Sequence, residues 1–131
     1  MNNRFKFRVW DKMRLQFIYP HNDNQQHFII DLNGRFHNLQ NGSGGDDYVI
    51  QQYTGLTDSN DDPIYEGDII IDNQKQKYEI IFDENHARYD LKVCGENKLR
   101  GQTSYGTEIY EKKHIEVIGN IFENPELLKT I

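Results

Sequence analysis

Hydrophobic and polar positions alternate with a period of two along much of this chain. Residues 4–9 place Arg4, Lys6 and Arg8 on one face and Phe5, Phe7 and Val9 on the other. Beyond a turn near Asp11–Lys12, Met13, Leu15, Phe17 and Tyr19 repeat the period. The spacing predicts a hairpin with one core face and one basic face. Phe28–Leu32 and Arg35–Leu39 flank Asn33-Gly34, which supplies the two positive-φ positions of a type I′ turn. A two-residue loop there sets His37 opposite Ile30. Residues 40–47 read as a Gly-rich loop, Tyr48–Tyr53 as a short strand, and Thr54-Gly55-Leu56 as a turn.

The polar turn Asp58–Pro63 opens the strongest β region, with strands expected at Ile69–Ile71, Tyr78–Phe82 and Ala87–Val93. In the last, Ala87, Tyr89, Leu91 and Val93 face inward and Arg88, Asp90 and Lys92 outward. Gly67 suits a bulge entering a buried strand, and Gly119 a bend in the run Ile115–Phe122. A Gly-punctuated stretch, 95–106, leads to strands at Ile109–Tyr110 and His114–Phe122. Asn124-Pro125-Glu126 signals a helix start, with Asn as cap and Pro at the first position, and room for only a turn or two. Largely buried positions are expected at Phe5, Phe7, Val9, Ile70, Ile80, Phe82, Tyr89, Leu91, Val117 and Ile118. The class is all-β: antiparallel hairpins and a small barrel or sandwich, closed by a short C-terminal helical turn. One domain, 1–131, is expected, with a hairpin region over 1–53 and a barrel region over 54–131.

Composition sharpens this picture. One alanine stands against fifteen isoleucines, a ratio that favours pleated surfaces over helices. Only 36% of residues are hydrophobic, yet sixteen aromatics are spread through the chain, which reads as a folded domain with a thin core. No apolar run approaches the roughly 20 residues of a membrane span, and no signal peptide is visible. With the single cysteine, Cys94, this makes the host cytoplasm the expected compartment. Net charge is −6, but residues 1–20 sum to +4 and residues 21–72 to −9.

Two stretches resemble the YopX family of phage and prophage proteins. One is Gln52-Tyr53-Thr54-Gly55-Leu56 with Asp58, Asn60 and Ile64-Tyr65-Glu66-Gly67-Asp68-Ile69; the other runs from Ile115 to Leu128. Lys6-Phe7-Arg8-Val9-Trp10-Asp11 is similar to the family's opening. The resemblance implies a phage or prophage origin and a β fold containing a small Src-homology-3-like barrel. It implies no activity and no catalytic residues. Asp61-Asp62 departs from the family pattern, which has Gly or a similar turn former there, and this bears on the turn type.

Candidate chemistry is sparse. Gly42-Ser43-Gly44-Gly45 lacks the Lys and Ser/Thr of a phosphate loop, and Asp46-Asp47 would repel phosphate. Asp58, Asn60 and Asp62 open like an EF-hand, but Pro63 and Ile69 stand where Gly and Glu are needed, so a hairpin turn is expected. The five histidines and Cys94 show no metal-ligand spacing. Asp90 with Glu111 and Lys113, or Asp83 with Glu96 and Lys98, fits a loose nuclease pattern that a chain 27% charged produces by accident. Arg4, Lys6, Arg8, Lys12 and Arg14 could contact a phosphate backbone, with Trp10, Phe17 and Tyr19 as stacking platforms. The competing account is that these cations solubilise a sheet edge and block strand pairing.

The expectation is therefore a non-enzymatic β module without a cofactor or a bound metal. Its partner is an unknown host or phage protein or a further copy of itself. No membrane is expected. Weak nucleic-acid binding through the basic hairpin is the second reading, and a metal-dependent nuclease the third.

Overall fold

The computed structural model describes residues 5–22, 27–96, 99 and 114–129. Among them are ten strands, no α-helix, and 3-10 turns at Pro20–Asn22, Gly45–Asp47 and Pro125–Leu128. The chain is mainly β, as its period-two pattern requires. It divides into two compact units, Met1–Tyr53 and Thr54–Ile131. The expected strand at Ile109–Tyr110 lies outside the described residues.

The strands of the first unit are β1 (Phe7–Asp11), β2 (Gln16–Ile18), β3 (Phe28–Ile30), β4 (Phe36–Asn38) and the first half of β5 (Tyr48–Thr57). β1 is central, paired antiparallel with β2 on one side and β5 on the other. β3 and β4 form a two-stranded ribbon. Aromatic contacts replace a deep aliphatic core: Phe36 lies between Phe28 (5.8 Å) and Tyr48 (4.7 Å), and Trp10 meets Phe17 edge-on at 4.9 Å.

In the second unit, β6 (Pro63–Tyr65) follows β5, and β7 (Asp68–Asp72), β8 (Lys77–Asp83), β9 (Arg88–Val93) and β10 (Ile115–Asn120) form a curled antiparallel sheet in the order β10-β7-β8-β9. Ile64, Ile70, Tyr78, Ile80, Leu91, Val93 and Ile115 fill its concave side, with Tyr89 and Val117 packed against them. The register of β10 shifts between Val117 and Gly119, the bend that Gly119 suggested.

One device recurs at the turns. Asp11, Asp31, Asp58, Asp72 and Asp83 each open a hairpin turn and accept backbone N–H groups of their own loop through Oδ1. Each turn ends on a left-handed residue: Leu15, Gly34, Asp61, Lys75 and Ala87, with φ between 51° and 77°. For a non-glycine residue this conformation costs about 1–2 kcal/mol, less for Asp. The carboxylate offsets it by satisfying N–H groups that the tight turn leaves without a ladder partner.

That device explains four departures from the sequence pattern. Met13 and Leu15 do not continue β2; Asp11 Oδ1 takes the N–H groups of Met13 (2.9 Å) and Arg14 (3.0 Å), so both apolar residues lie in the turn and are exposed. In the Asn-Gly hairpin, Asp31 takes the N–H groups of Asn33 and Arg35, making a three-residue loop ending on Gly34. His37 therefore sits opposite Ile29, not Ile30. In the Asp61-Asp62 pair that departs from the family pattern, Asp61 adopts the left-handed position itself (φ 64°). Ala87 does the same (φ 51°) and so lies in the turn before β9 rather than facing inward.

Other departures have local causes. Thr54-Gly55-Leu56 is not a turn, because Gly55 at φ 91° bends β5 without ending it. Gly67 lies in the corner between β6 and β7, its N–H bonded to Ile80 O. Asp90 points away from the core yet is fully buried; Oδ1 takes the Leu91 N–H and Arg88 Nη2 lies 3.5 Å from Oδ2. Of the expected core, Val9, Ile70, Ile80 and Leu91 are buried, and Phe7, Tyr89, Val117 and Ile118 are partly so. Phe5 and Phe82 are exposed: Phe5 precedes β1, and Phe82 sits near the far end of β8 with its ring edge-on to Tyr89. Asn124 does not cap the last 3-10 turn, since its Oδ1 accepts the Asn120 N–H instead.

A Cβ at Gly119 would stand 2.6 Å from Asn124 Oδ1, so this bulge is closed to any side chain. Gly119→Ala is expected to cost about 1–3 kcal/mol in urea unfolding, the range for overpacking. In a Gly119→Ala, Asn124→Ala double variant the two costs should fall short of their sum, because the clash disappears.

Candidate functional site

The five candidate cations do not form one basic face. Arg4 lies outside the described residues. Lys6 is partly buried, with Nζ 5.9 Å from the Tyr53 ring centroid. Arg8 is buried: Nε donates to Gln51 Oε1 at 2.9 Å and Cζ stands 4.3 Å above the Phe17 ring. Its face of β1 continues into Trp10 and is covered by the aromatic side chains there, so this guanidinium is a packing element. Because β1 is flanked by β2 and β5, its cations do not guard a sheet edge either. Lys12 and Arg14 remain as exposed cations on the β1–β2 turn. Of the stacking candidates, Trp10 is buried and paired with Phe17, while Tyr19 is partly exposed.

The other motifs are turns. Asp58 is fully buried; Oδ1 accepts the N–H groups of Asn60 and Asp62, and Oδ2 accepts that of Val117, each at 2.9 Å. A carboxylate using both oxygens on backbone donors has little left for a cation, so the EF-hand-like spacing serves the hairpin. No group of three or more His, Cys, Asp or Glu residues that could hold a metal occurs among the described residues. His37 Nε2 donates to Asp31 Oδ2 at 2.8 Å, and His86 Nδ1 to Asp83 Oδ2 at 2.6 Å. These pairs, on two turns, were not legible, because the histidine lies only three or six residues from its acid and carries no motif. In the nuclease-like sets, Glu111, Lys113 and Lys98 lie outside the described residues, and Asp83 is engaged by His86.

Two clefts among the described residues bear on candidate chemistry. One of about 540 Å³ in the first unit is lined by Arg35, Phe36, Asp46 and Tyr48, whose hydroxyl shares a hydrogen bond with Ser43 Oγ. The second, about 400 Å³, brings together Glu79, Lys92, Cys94 and Leu128. Burial raises the Glu79 carboxyl above its ordinary value, against the pull of Lys92 directly opposite on β9. Burial likewise raises the Cys94 thiol, so it stays protonated at neutral pH, the reverse of an activated nucleophile.

Exposed apolar side chains concentrate in the first unit. Met13 is 78% exposed, Leu15 69%, Leu32 106% and Leu39 60%, all four in turns, and Ile29 stands beside His37 on the open face of β3. Period-two reading missed this surface because it counted Met13 and Leu15 as core. The signal that could have found it is Asp11, a turn-opening residue immediately before them.

The family model described as YopX protein matches residues 6–129. Among solved structures, the chain is similar to protein EF1440 from Enterococcus faecalis, known from a crystal structure. The two share 28% identity over 95% of this chain and 97% of that one, with a TM-score of 0.61. No curated protein matches.

The His86 hydrogen bond, ahead of a smaller bond from the Asn85 N–H, holds the Asp83 carboxyl below its ordinary value against the opposing effect of burial. Its contribution to stability is therefore full above the unfolded value of about pH 4 and is lost as pH falls through the lower, folded-state value. Thermal unfolding of wild type and His86→Ala, followed from about pH 6 to about pH 2, should show wild type more stable at the upper end and the two converging at the lower. A gap that stays constant across this range would contradict the assignment.

Proposed function

The chain belongs to the YopX family, and on that footing we propose that it is a phage- or prophage-encoded accessory protein acting in the host cytoplasm as a non-enzymatic binding and self-assembly module. Its second unit serves as a small Src-homology-3-like barrel, and its first presents the contact surface. Its partner is a protein, from host or phage, or a further copy of the chain. The observation that carries this reading is the set of exposed Met and Leu side chains on the turns of the first unit, where a solvated surface would carry polar groups. The burial of the Arg8 side chain and the protonated state of Cys94 also favour contact over nucleic-acid binding or catalysis. Nucleic acid keeps second place through Lys12 and Arg14, without a cofactor in either reading.

Replacing Leu32 and Leu39 with Ser tests the contact surface. Stability is expected to stay within about 0.5 kcal/mol, as for other surface changes, while the variant loses the stoichiometric protein partner that wild type retains from infected cells. Retention of that partner by the variant would contradict the proposed surface. Incubation of the wild type with DNA or RNA and magnesium or manganese should give no cleavage. Metal-dependent cleavage that disappears in Glu96→Ala protein would overturn the non-enzymatic reading. Submicromolar binding to oligonucleotides at about 150 mM salt, lost in Lys12→Ala, Arg14→Ala protein, would instead promote the nucleic-acid reading, since non-specific contact gives about 10⁻⁴–10⁻⁶ M.

A further inference from the structure

The β1–β2 turn, residues 12–15, is fixed without the use of its own side chains. Lys12 N–H donates to Asp47 O at 3.0 Å, those of Met13 and Arg14 to Asp11 Oδ1, and that of Leu15 to Asp11 O at 2.8 Å. Four consecutive donors are satisfied by the main chain and one buried carboxylate. What the turn presents outward is Lys-Met-Arg-Leu, cations alternating with apolar groups, and all four residues are exposed. Arg14 lies 3.6 Å from Asp11 Oδ2 while 59% of its side chain faces solvent. Asp11, buried beneath the turn, is the acid paired with Arg14, while Lys12, Met13 and Leu15 project from the turn with it.

The other turns opened by an Asp supply an internal control. Their left-handed positions hold Gly34, Asp61, Lys75 and Ala87, which are flexible, polar or small. Among these described turns, the β1–β2 turn alone puts a large apolar residue there, Leu15 at φ 55°, and it is 69% exposed. A leucine in that place costs the fold twice, in backbone strain and in apolar surface left in water. Gly or Asn would serve the turn better. A side chain kept against both costs is accounted for by contact outside the chain.

We propose that this turn is a docking element for a second copy of the chain, which it meets at that copy's β5–β6 turn; the proposal rests on the reading of the protein as a contact and self-assembly module. Alternating cations and apolar groups call for carboxylates beside an apolar side chain, and the β5–β6 turn offers them. Asp62 and Glu116 are exposed, Glu116 is tied to the turn through Asn60 Nδ2 at 3.4 Å, and Leu56 on the same hairpin is 42% exposed. Both halves of the contact stand on one molecule, the exposed Lys12 and Arg14 on one turn and the exposed Asp62 and Glu116 at the other. The contact is heterologous, one turn against a different turn. Being small, it is weak, and being charged, it weakens with salt.

Sedimentation equilibrium of the full chain over a range of concentration and salt tests this. Wild type should self-associate, less so at high salt. Leu15→Gly should weaken association about tenfold or more while its melting temperature equals or exceeds that of wild type, because Gly relieves the strained φ. Asp62→Lys, Glu116→Lys protein should lose association likewise. An equal mixture of the two variants should again form dimers, since each keeps the half the other lacks. A strictly monomeric wild type, association unchanged by either variant, a mixture that stays monomeric, or a turn that binds anionic vesicles in place of a second copy would each overturn the proposal. The broader reading falls separately, only if wild type also retains no stoichiometric protein partner from infected cells.

Discussion

A carboxylate at the start of each tight turn, buried at Asp11, Asp58 and Asp83 and half-buried at Asp31 and Asp72, is the interaction on which this fold most depends. The sheets are short, the core is thin, and a one-residue slip would exchange the faces of any strand. Hydrophobic pattern alone specifies register weakly in three-residue strands such as β2, β3 and β4. Asp11, Asp31, Asp58, Asp72 and Asp83 supply what the pattern lacks, because each carboxylate fits one loop length and so fixes which residues face each other across the hairpin. Asp58 goes further than the others. Its second oxygen takes the Val117 N–H, 59 residues away, and so ties the β5–β6 turn to β10.

This dependence explains which parts of the structure were legible in the sequence. The mainly β class and strands β7, β8 and β10 follow from Ile-rich runs of period two, and the helical turn at Pro125 from its Asn-Pro-Glu start. The bend at Gly119 was legible because glycine inside an apolar run has few other uses. Turn lengths were not, since Asn33-Gly34 advertises a two-residue loop while Asp31, two positions earlier, imposes three. The same competition moved Met13 and Leu15 out of the expected core. Arg8 was misplaced for another reason: alternation marks a face but cannot tell that Gln51 and Phe17 come from elsewhere in the chain to cover it.

The turns leave free the side chains that they do not need. Where a carboxylate satisfies the loop backbone, the outward positions are free to be polar, as at Lys75, or apolar, as at Leu15. The first unit uses that freedom for Met and Leu, and the β5–β6 turn uses it for Asp61 and Asp62. In the second unit, burial raises Glu79 and Cys94 toward their neutral forms.

Amide hydrogen exchange in Asp58→Ala protein tests the turn-anchor account most directly. Loss of three hydrogen bonds to one buried carboxylate is expected to cost about 3 kcal/mol or more. The N–H groups of Asn60, Asp62 and Val117 should lose protection together and ahead of those in β8 and β9. Unchanged protection at Val117, or uniform loss across the second unit with no local excess at these three positions, would contradict the claim that the carboxylate sets the register.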